Sequence, residues 1–259
     1  RDRDIPVPKP SKQQVRIKIE ACGVNFPDTL IIENKYQYKP DLPFSPGGEV
    51  AGIIDELGDE VTNYSVGEKV MAMTLFGGFS EYILVNADAL LRIPKEMDSV
   101  TAAGFTMTYG TSMYGLKQRG CLKSGEKLLV LGAGGGVGIT AVEIGKIMGA
   151  EVIAAASSEN KLAAAKRAGA DHLINYSEGN IREKIKNIVG SSGIDVLYDP
   201  VGGELFEPCL RSLAWGGRAL VIGFASGTIP KLPTNLTLVK GCSVVGAVSY
   251  THLTLPTSR

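Results

Sequence analysis

Residues 13–20, QQVRIKIE, alternate strictly, with Val15, Ile17 and Ile19 on one side and Arg16, Lys18 and Glu20 on the other. A period of two predicts a strand buried on one face and wet on the other. After it, Asn25 is placed to cap a short helix with Pro27 in its first turn, ending near Asn34 ahead of a Tyr- and Pro-rich loop. Further strands are predicted at 49–57, 69–75, 79–85 and 90–93, separated by turn signals such as Gly58-Asp59 and Gly67. Short strands at this close spacing predict a compact barrel-like domain.

The rhythm changes at Ser99. Residues 99–118 are rich in Ala, Thr and Gly and read as helical. Leu128 to Leu131 form a continuous apolar run, the mark of a strand buried on both faces of a parallel sheet. A glycine-dense turn follows, then a helix with Val137, Ala141, Ile144 and Ile147 as its apolar positions and Gly149 at its C′ end. The alternation continues. Strand 152–156 precedes a helix capped by Ser158 and stopped by Gly169, and strand 172–176 precedes a helix with Ile181, Ile185, Ile188 and Val189 on one face. Strand 194–198 precedes a helix over 204–214, and strands 218–224 and 243–248 complete the series. Pro208 lies inside the helix at 204–214, where it predicts a kink or a later helix start. Alternating β and α at this spacing predicts a doubly wound parallel sheet.

Composition narrows the class. The chain has 259 residues, 44% apolar and 21% charged, enough for a sizeable core in one large or two ordinary domains. Formal net charge is zero, so no broad basic surface for nucleic acid or acidic lipid is implied. Four cysteines lie far apart with no C-x-x-C pair, which favours reduced thiols in a cytoplasmic setting. No apolar run is long enough to span a membrane. An opening Arg close to the first strand predicts a truncated start.

Strand, glycine turn and helix at 127–150 form the geometry in which backbone N–H groups hold a pyrophosphate. Read as G-x-G-x-x-G, the frame is Ala133, Gly135 and Gly138, with alanine at the first position. Alone this is weak, and a glycine-rich loop that merely turns the chain competes with it. The surrounding β/α rhythm makes it a dinucleotide site. An acidic residue after the second strand would take a ribose 2′-hydroxyl; here that strand ends AAASSENK. Ser157, Ser158 and Lys161 would welcome a 2′-phosphate, so NADPH is the expected cofactor. A solvated lysine and a plain N-cap serine form the competing reading, and Glu159 could pair with Lys161.

The stretches ACGVNFPD, PGGEVAG, VGEKVMAM, FTMTYGTSMYGL, LKSGEKLLVLGAGGGVG, VIAAASSENK, DVLYDPVGG and WGGRALVIGFASG resemble the zinc-free quinone oxidoreductases of the medium-chain dehydrogenase/reductase superfamily. The resemblance runs from Pro6 to Gly246. It implies a GroES-like β-rich catalytic domain over 1–100, incomplete here, and a Rossmann NADPH-binding domain over 101–248. It also implies hydride transfer from NADPH to a quinone or other activated alkene. Metal-using relatives carry zinc ligands where this chain has Asn25 and Gly48, so no metal is expected. Asn25 is expected as a positioning donor and Tyr36 as a candidate donor to substrate, with Asp28 organising the helix start; a loop aromatic that only packs is the alternative for Tyr36. Cofactor contacts carried over are Thr111 near nicotinamide, then Gly135, Gly136 and Val137 at the pyrophosphate. Ser158, Lys161 and Tyr176 fall at the adenosine end, and Val201, Phe224 and Ser226 at later strand ends. Tyr176 could equally pack on the next helix.

The resemblance stops after Gly246. The segment SYTHLTLPTSR, and with it the tail 249–259, reads as non-native sequence joined to a truncated chain. The family's dimers commonly pair through the sixth strand, so the parent protein is expected to be a homodimer. An enoyl-thioester or alkenal reductase, and a non-catalytic NADPH-binding protein, are the competing functions.

Overall fold

The structure is a computed structural model that describes residues 4–247. It divides into two compact units, the first ending at Met107 and the second starting at Thr108. The tail at 249–259 and the end of the strand expected to reach Val248 lie outside the described residues.

The first unit holds β1 (Gln14–Gly23), α1 (Phe26–Ile32), β2 (Glu49–Leu57), β3 (Lys69–Met73), β4 (Tyr82–Asn86), β5 (Leu90–Arg92) and α2 (Ser99–Ala102). Its strands form one antiparallel sheet in the order β4-β1-β2-β3-β5. The alternation in β1 does what it predicts: Val15 and Ile17 are fully buried with Val50, Ile54 and Val70. Pro27 falls in the first turn of α1, where its missing N–H costs nothing, and Asn34 takes the left-handed conformation just past the helix end.

The single helix expected over 99–118 is broken into α2, α3 (Thr106–Met113) and a π-helical turn, Tyr114–Arg119. The boundary between the two units falls inside α3.

The second unit contains β6 (Lys127–Leu131), α4 (Gly136–Ile147), β7 (Glu151–Ala156), α5 (Glu159–Arg167), β8 (His172–Asn175) and α6 (Ile181–Val189). It continues with β9 (Ile194–Asp199), α7 (Phe206–Leu210), β10 (Leu213–Val221), α8 (Asn235–Lys240) and β11 (Ser243–Gly246). Its strands are all parallel, in the order β11-β10-β9-β6-β7-β8. That is the doubly wound order, with the switch point between β6 and β9. The apolar run of β6 serves both faces, Leu129 and Leu131 entering one core and Leu128 and Val130 the other.

Two expectations change here. The helix expected over 204–214 shortens to α7 preceded by a 3-10 turn at Gly203–Leu205, and β10 already begins at Leu213. Starting at Phe206 leaves Pro208 in the first helical turn, where no intrahelical N–H is needed. Ile147, counted among the apolar positions of α4, is 84% exposed, because the buried face runs through Gly138, Ala141, Val142 and Gly145 and at about 3.6 residues per turn Ile147 falls on the opposite side.

Candidate active site

Every strand of the parallel sheet ends on the same side, and nearly all the expected cofactor residues follow those ends. The turn after β6 explains the imperfect glycine frame. The left-handed residue is Gly132, at φ +59°, one position ahead of the frame. Ala133 is therefore free of that constraint; it is fully buried and its N–H bonds the Ala155 carbonyl at 3.0 Å. Gly138 is held by packing: a Cβ there would fall 2.8 Å from the Gly132 carbonyl carbon and 2.9 Å from Ala133 Cα. Gly135 differs. It caps α4 in extended backbone, and a Cβ on it would meet only the Gly132 oxygen, at 3.4 Å. Side-chain space at Gly135 is thus kept clear without any packing demand, beside the first-turn N–H groups of Gly136, Val137 and Gly138 that a helix leaves without internal acceptors. A pyrophosphate fits such a cradle.

Beneath this turn lies a buried hydroxyl cluster that sequence reasoning missed. Ser112 Oγ donates to the Val137 carbonyl at 2.9 Å and lies 2.8 Å from Thr140 Oγ1 and 2.9 Å from the Tyr198 hydroxyl. It anchors α3 to the first turn of α4. Burial pushes the Tyr198 phenol well above its ordinary range. Thr111, expected near nicotinamide, is buried on the same helix as Ser112. No sequence periodicity flags these polar residues, because their partners come from separate elements.

At the end of β7, Ser158 caps α5 without using its hydroxyl as a cap. Lys161 Nζ donates to Ser157 Oγ at 3.2 Å. Glu159 does not pair with Lys161; it accepts a hydrogen bond from Asn175 Nδ2 at 3.2 Å. The stem of Lys161 also rests on the glycine turn, since a Cβ on Gly134 would lie 2.5 Å from Lys161 Cβ. The fold thus brings the serine–lysine tip and the glycine turn into contact. Tyr176 is half-buried against the hydrophobic core, with its N–H on the Ala156 carbonyl at 3.1 Å.

Past β9, the carboxylate of Asp199 shapes the next loop. It is 2% exposed, and one oxygen accepts the N–H groups of Val201 and Gly202, each at 2.8 Å. Burial raises its pKa above the usual carboxylate value. The loop sets Val201 against the glycine turn, a Cβ on Gly132 lying 3.0 Å from Val201 Cγ2. Ser226 N–H bonds the Val201 carbonyl at 3.0 Å, and Phe224 packs on Gly202. Val201, Phe224 and Ser226 therefore form one cluster beside the cradle. A separate hollow of about 620 Å³, bounded by Asn180, Arg182, Glu204, Arg211 and Lys231, includes none of the expected residues.

In the first unit, Asn25 and Asp28 form a reciprocal capping box at the start of α1, Asp28 Oδ2 accepting the Asn25 N–H at 2.8 Å. The Asn25 amide donates through Nδ2 to Glu49 Oε2 at 3.0 Å. Glu49 is fully buried, and its other oxygen accepts the Met107 N–H at 2.8 Å. Burial raises the Glu49 pKa against the pull of these donors. The neighbouring Cys22 thiol is pushed up to about 11, mainly by burial. Tyr36 lies half-buried in the loop after α1, its pKa raised by the same cause. As for metal, among the described residues no group of three or more His, Cys, Asp or Glu side chains converges. Both Glu49 oxygens are committed to N–H donors.

Comparison with known proteins agrees with this architecture. Residues 11–95 match the alcohol dehydrogenase GroES-like domain and residues 136–258 the zinc-binding dehydrogenase domain. Quinone oxidoreductase-like protein 2 of Rattus norvegicus is 39% identical over 241 residues, covering 92% of this chain and 69% of that protein. The structure of Escherichia coli quinone oxidoreductase complexed with NADPH matches with a TM-score of 0.87 and 29% identity, over 93% of this chain and 74% of that one. That of CurK enoyl reductase matches with a TM-score of 0.83 and 27% identity, over 94% and 75%. A GroES-like domain followed by a Rossmann-type sheet with a glycine turn defines a dehydrogenase-type oxidoreductase. Within that class, the chain belongs to the quinone oxidoreductase-like family of the medium-chain dehydrogenase/reductase superfamily.

Proposed function

We propose that the chain binds NADPH and reduces a small activated acceptor, a quinone or another α,β-unsaturated carbonyl, without a metal. The observation that carries this is the contact between Lys161 and the glycine turn, on a strand end where the nearby Glu159 is engaged by Asn175 instead. Gly135, Gly136 and Val137 would hold the pyrophosphate. Ser158 and Lys161 would take the 2′-phosphate, Tyr176 would border the adenosine, and Thr111, Val201, Phe224 and Ser226 would line the nicotinamide end. A charge-assisted hydrogen bond of about 1.5–3 kcal/mol from Lys161 gives NADPH a tenfold or greater advantage over NADH.

When bound, NADPH supplies the hydride. The chain's part is to orient the acceptor and hold the oxygen on which negative charge develops, with Asn25 and Tyr36 as donors. In this reading the domain over 1–100 receives the substrate and that over 101–248 the cofactor. The four cysteines, all unpaired, fit a reducing compartment. The likeness to CurK enoyl reductase favours a second reading, an enoyl-thioester reductase with the same hydride step.

The test is NADPH consumption by the protein against quinones, enals and enoyl thioesters. Fastest turnover with a quinone or enal is expected. Turnover confined to enoyl thioesters selects the second reading, and tight NADPH binding with no turnover rejects an enzymatic role.

A further inference from the structure

Glu49 is a charged group that the proposed chemistry leaves unused. It has no exposure to solvent, yet both of its oxygens are satisfied, Oε1 by the Met107 N–H and Oε2 by Asn25 Nδ2. Asn25 is gripped from a second side by Asp28, itself 3% exposed, through the capping box. Gly23 lets the end of β1 close over this pair: a Cβ there would lie 3.1 Å from Glu49 Oε2 and 3.3 Å from Asn25 Nδ2. Two buried carboxylates thus surround one half-buried asparagine.

An asparagine amide offers two N–H hydrogens and one oxygen. One hydrogen goes to Glu49, and the capping box turns Oδ1 toward the N–H of Asp28. We infer that Glu49 is a positioning residue: its carboxylate fixes the amide plane of Asn25 and leaves that side chain a single N–H with which to hold the oxygen of the acceptor. This rests on the reading of Asn25 as a donor to the acceptor. A carboxylate, which only accepts, permits one orientation of the amide; a carboxamide would permit two. Glu49 needs no contact with substrate to act.

The experiment uses the full chain, Glu49→Gln, Asn25→Ala and the double variant. Glutamine offers one accepting oxygen where Met107 N–H and Asn25 Nδ2 need two. Side-chain amide exchange measured by NMR on the cofactor-free wild type should show one Asn25 proton protected and the other exchanging with water. Glu49→Gln should erase that difference. With a quinone acceptor the same variant should lose about tenfold in kcat, equivalent to about 1.4 kcal/mol. Its KM for NADPH should stay within about twofold, because Glu49 bonds Met107 and Asn25 and none of the residues assigned to the cofactor. In the double variant kcat should match that of Asn25→Ala alone. Equal exchange of both Asn25 protons in the wild type overturns the inference without any variant having to fold. So does an asymmetry that survives Glu49→Gln, or kcat losses that multiply. If the wild type reduces no acceptor, the proposed function falls, and the exchange measurement still decides whether Glu49 fixes the amide.

Discussion

Two glycines three residues apart in the same turn should fail in opposite ways. At Gly138 an added Cβ would sit 2.8 Å from the Gly132 carbonyl carbon and 2.9 Å from Ala133 Cα. These are backbone atoms of the turn that launches α4, so the helix must lift from β6. Overpacking of this kind costs about 1–3 kcal/mol. For a chain of this size that is a fall of about 2–10 °C in melting temperature. At Gly135 the same methyl meets only the Gly132 oxygen, at 3.4 Å, and the backbone there, φ −89° and ψ 167°, suits alanine. Losing a glycine from the unfolded chain stabilises by about 0.4–1 kcal/mol. Placing alanine at an N-cap costs a similar amount. Gly135→Ala should therefore melt with the wild type. Its methyl, however, would occupy the space that the proposed function assigns to a phosphate, and NADPH affinity should fall tenfold or more, about 1.4 kcal/mol. Thermal unfolding without ligand, paired with fluorescence titration of NADPH, reads both quantities. Unchanged NADPH affinity in Gly135→Ala, or a melting loss equal to that of Gly138→Ala, would refute the assignment of the turn as a phosphate cradle.

Lys161→Ala should raise the KM for NADPH at least about tenfold while leaving that for NADH nearly unchanged; equal effects on the two nucleotides would remove the 2′-phosphate role. Ser112→Ala strips the buried Tyr198 hydroxyl and Thr140 of a shared partner and should lower unfolding free energy by about 1–3 kcal/mol, read by urea titration. Asp199→Asn keeps the single oxygen that accepts both loop N–H groups. Burial raises the Asp199 pKa in the folded protein above the unfolded value of about 3.9, so its contribution is most favourable in acid and is lost as pH climbs through the unfolded and up to the folded pKa. The stability of Asp199→Asn relative to wild type should accordingly grow from about pH 4 upward and then level off; a pH-independent difference would contradict the raised pKa.

What the sequence determined by itself was whatever depends on neighbours along the chain. The alternation of β1, the doubly apolar run of β6, the face of α6 through Ile181, Ile185 and Val189, and the C′ role of Gly149 are all local, and all appear in the structure. The residues expected beyond Leu131, Ala156, Asp199 and Val221 could be placed on one side of the sheet for the same reason: parallel strands share an end. Tertiary structure decided the rest. It moved the strained turn residue from the fingerprint position, Ala133, to Gly132. It shortened the helix around Pro208, because β10 pairs with β9 from Leu213 onward. It also turned Gly134, a residue the fingerprint leaves unspecified, into the contact that seats Lys161. Above all it supplied the buried polar groups. Glu49, Asp199 and Ser112 sit in segments that read as apolar or small, and each is explained only by donors and acceptors from other parts of the chain. A buried carboxylate is stable only where the fold delivers its N–H partners, and no spacing along one strand records where those partners come from.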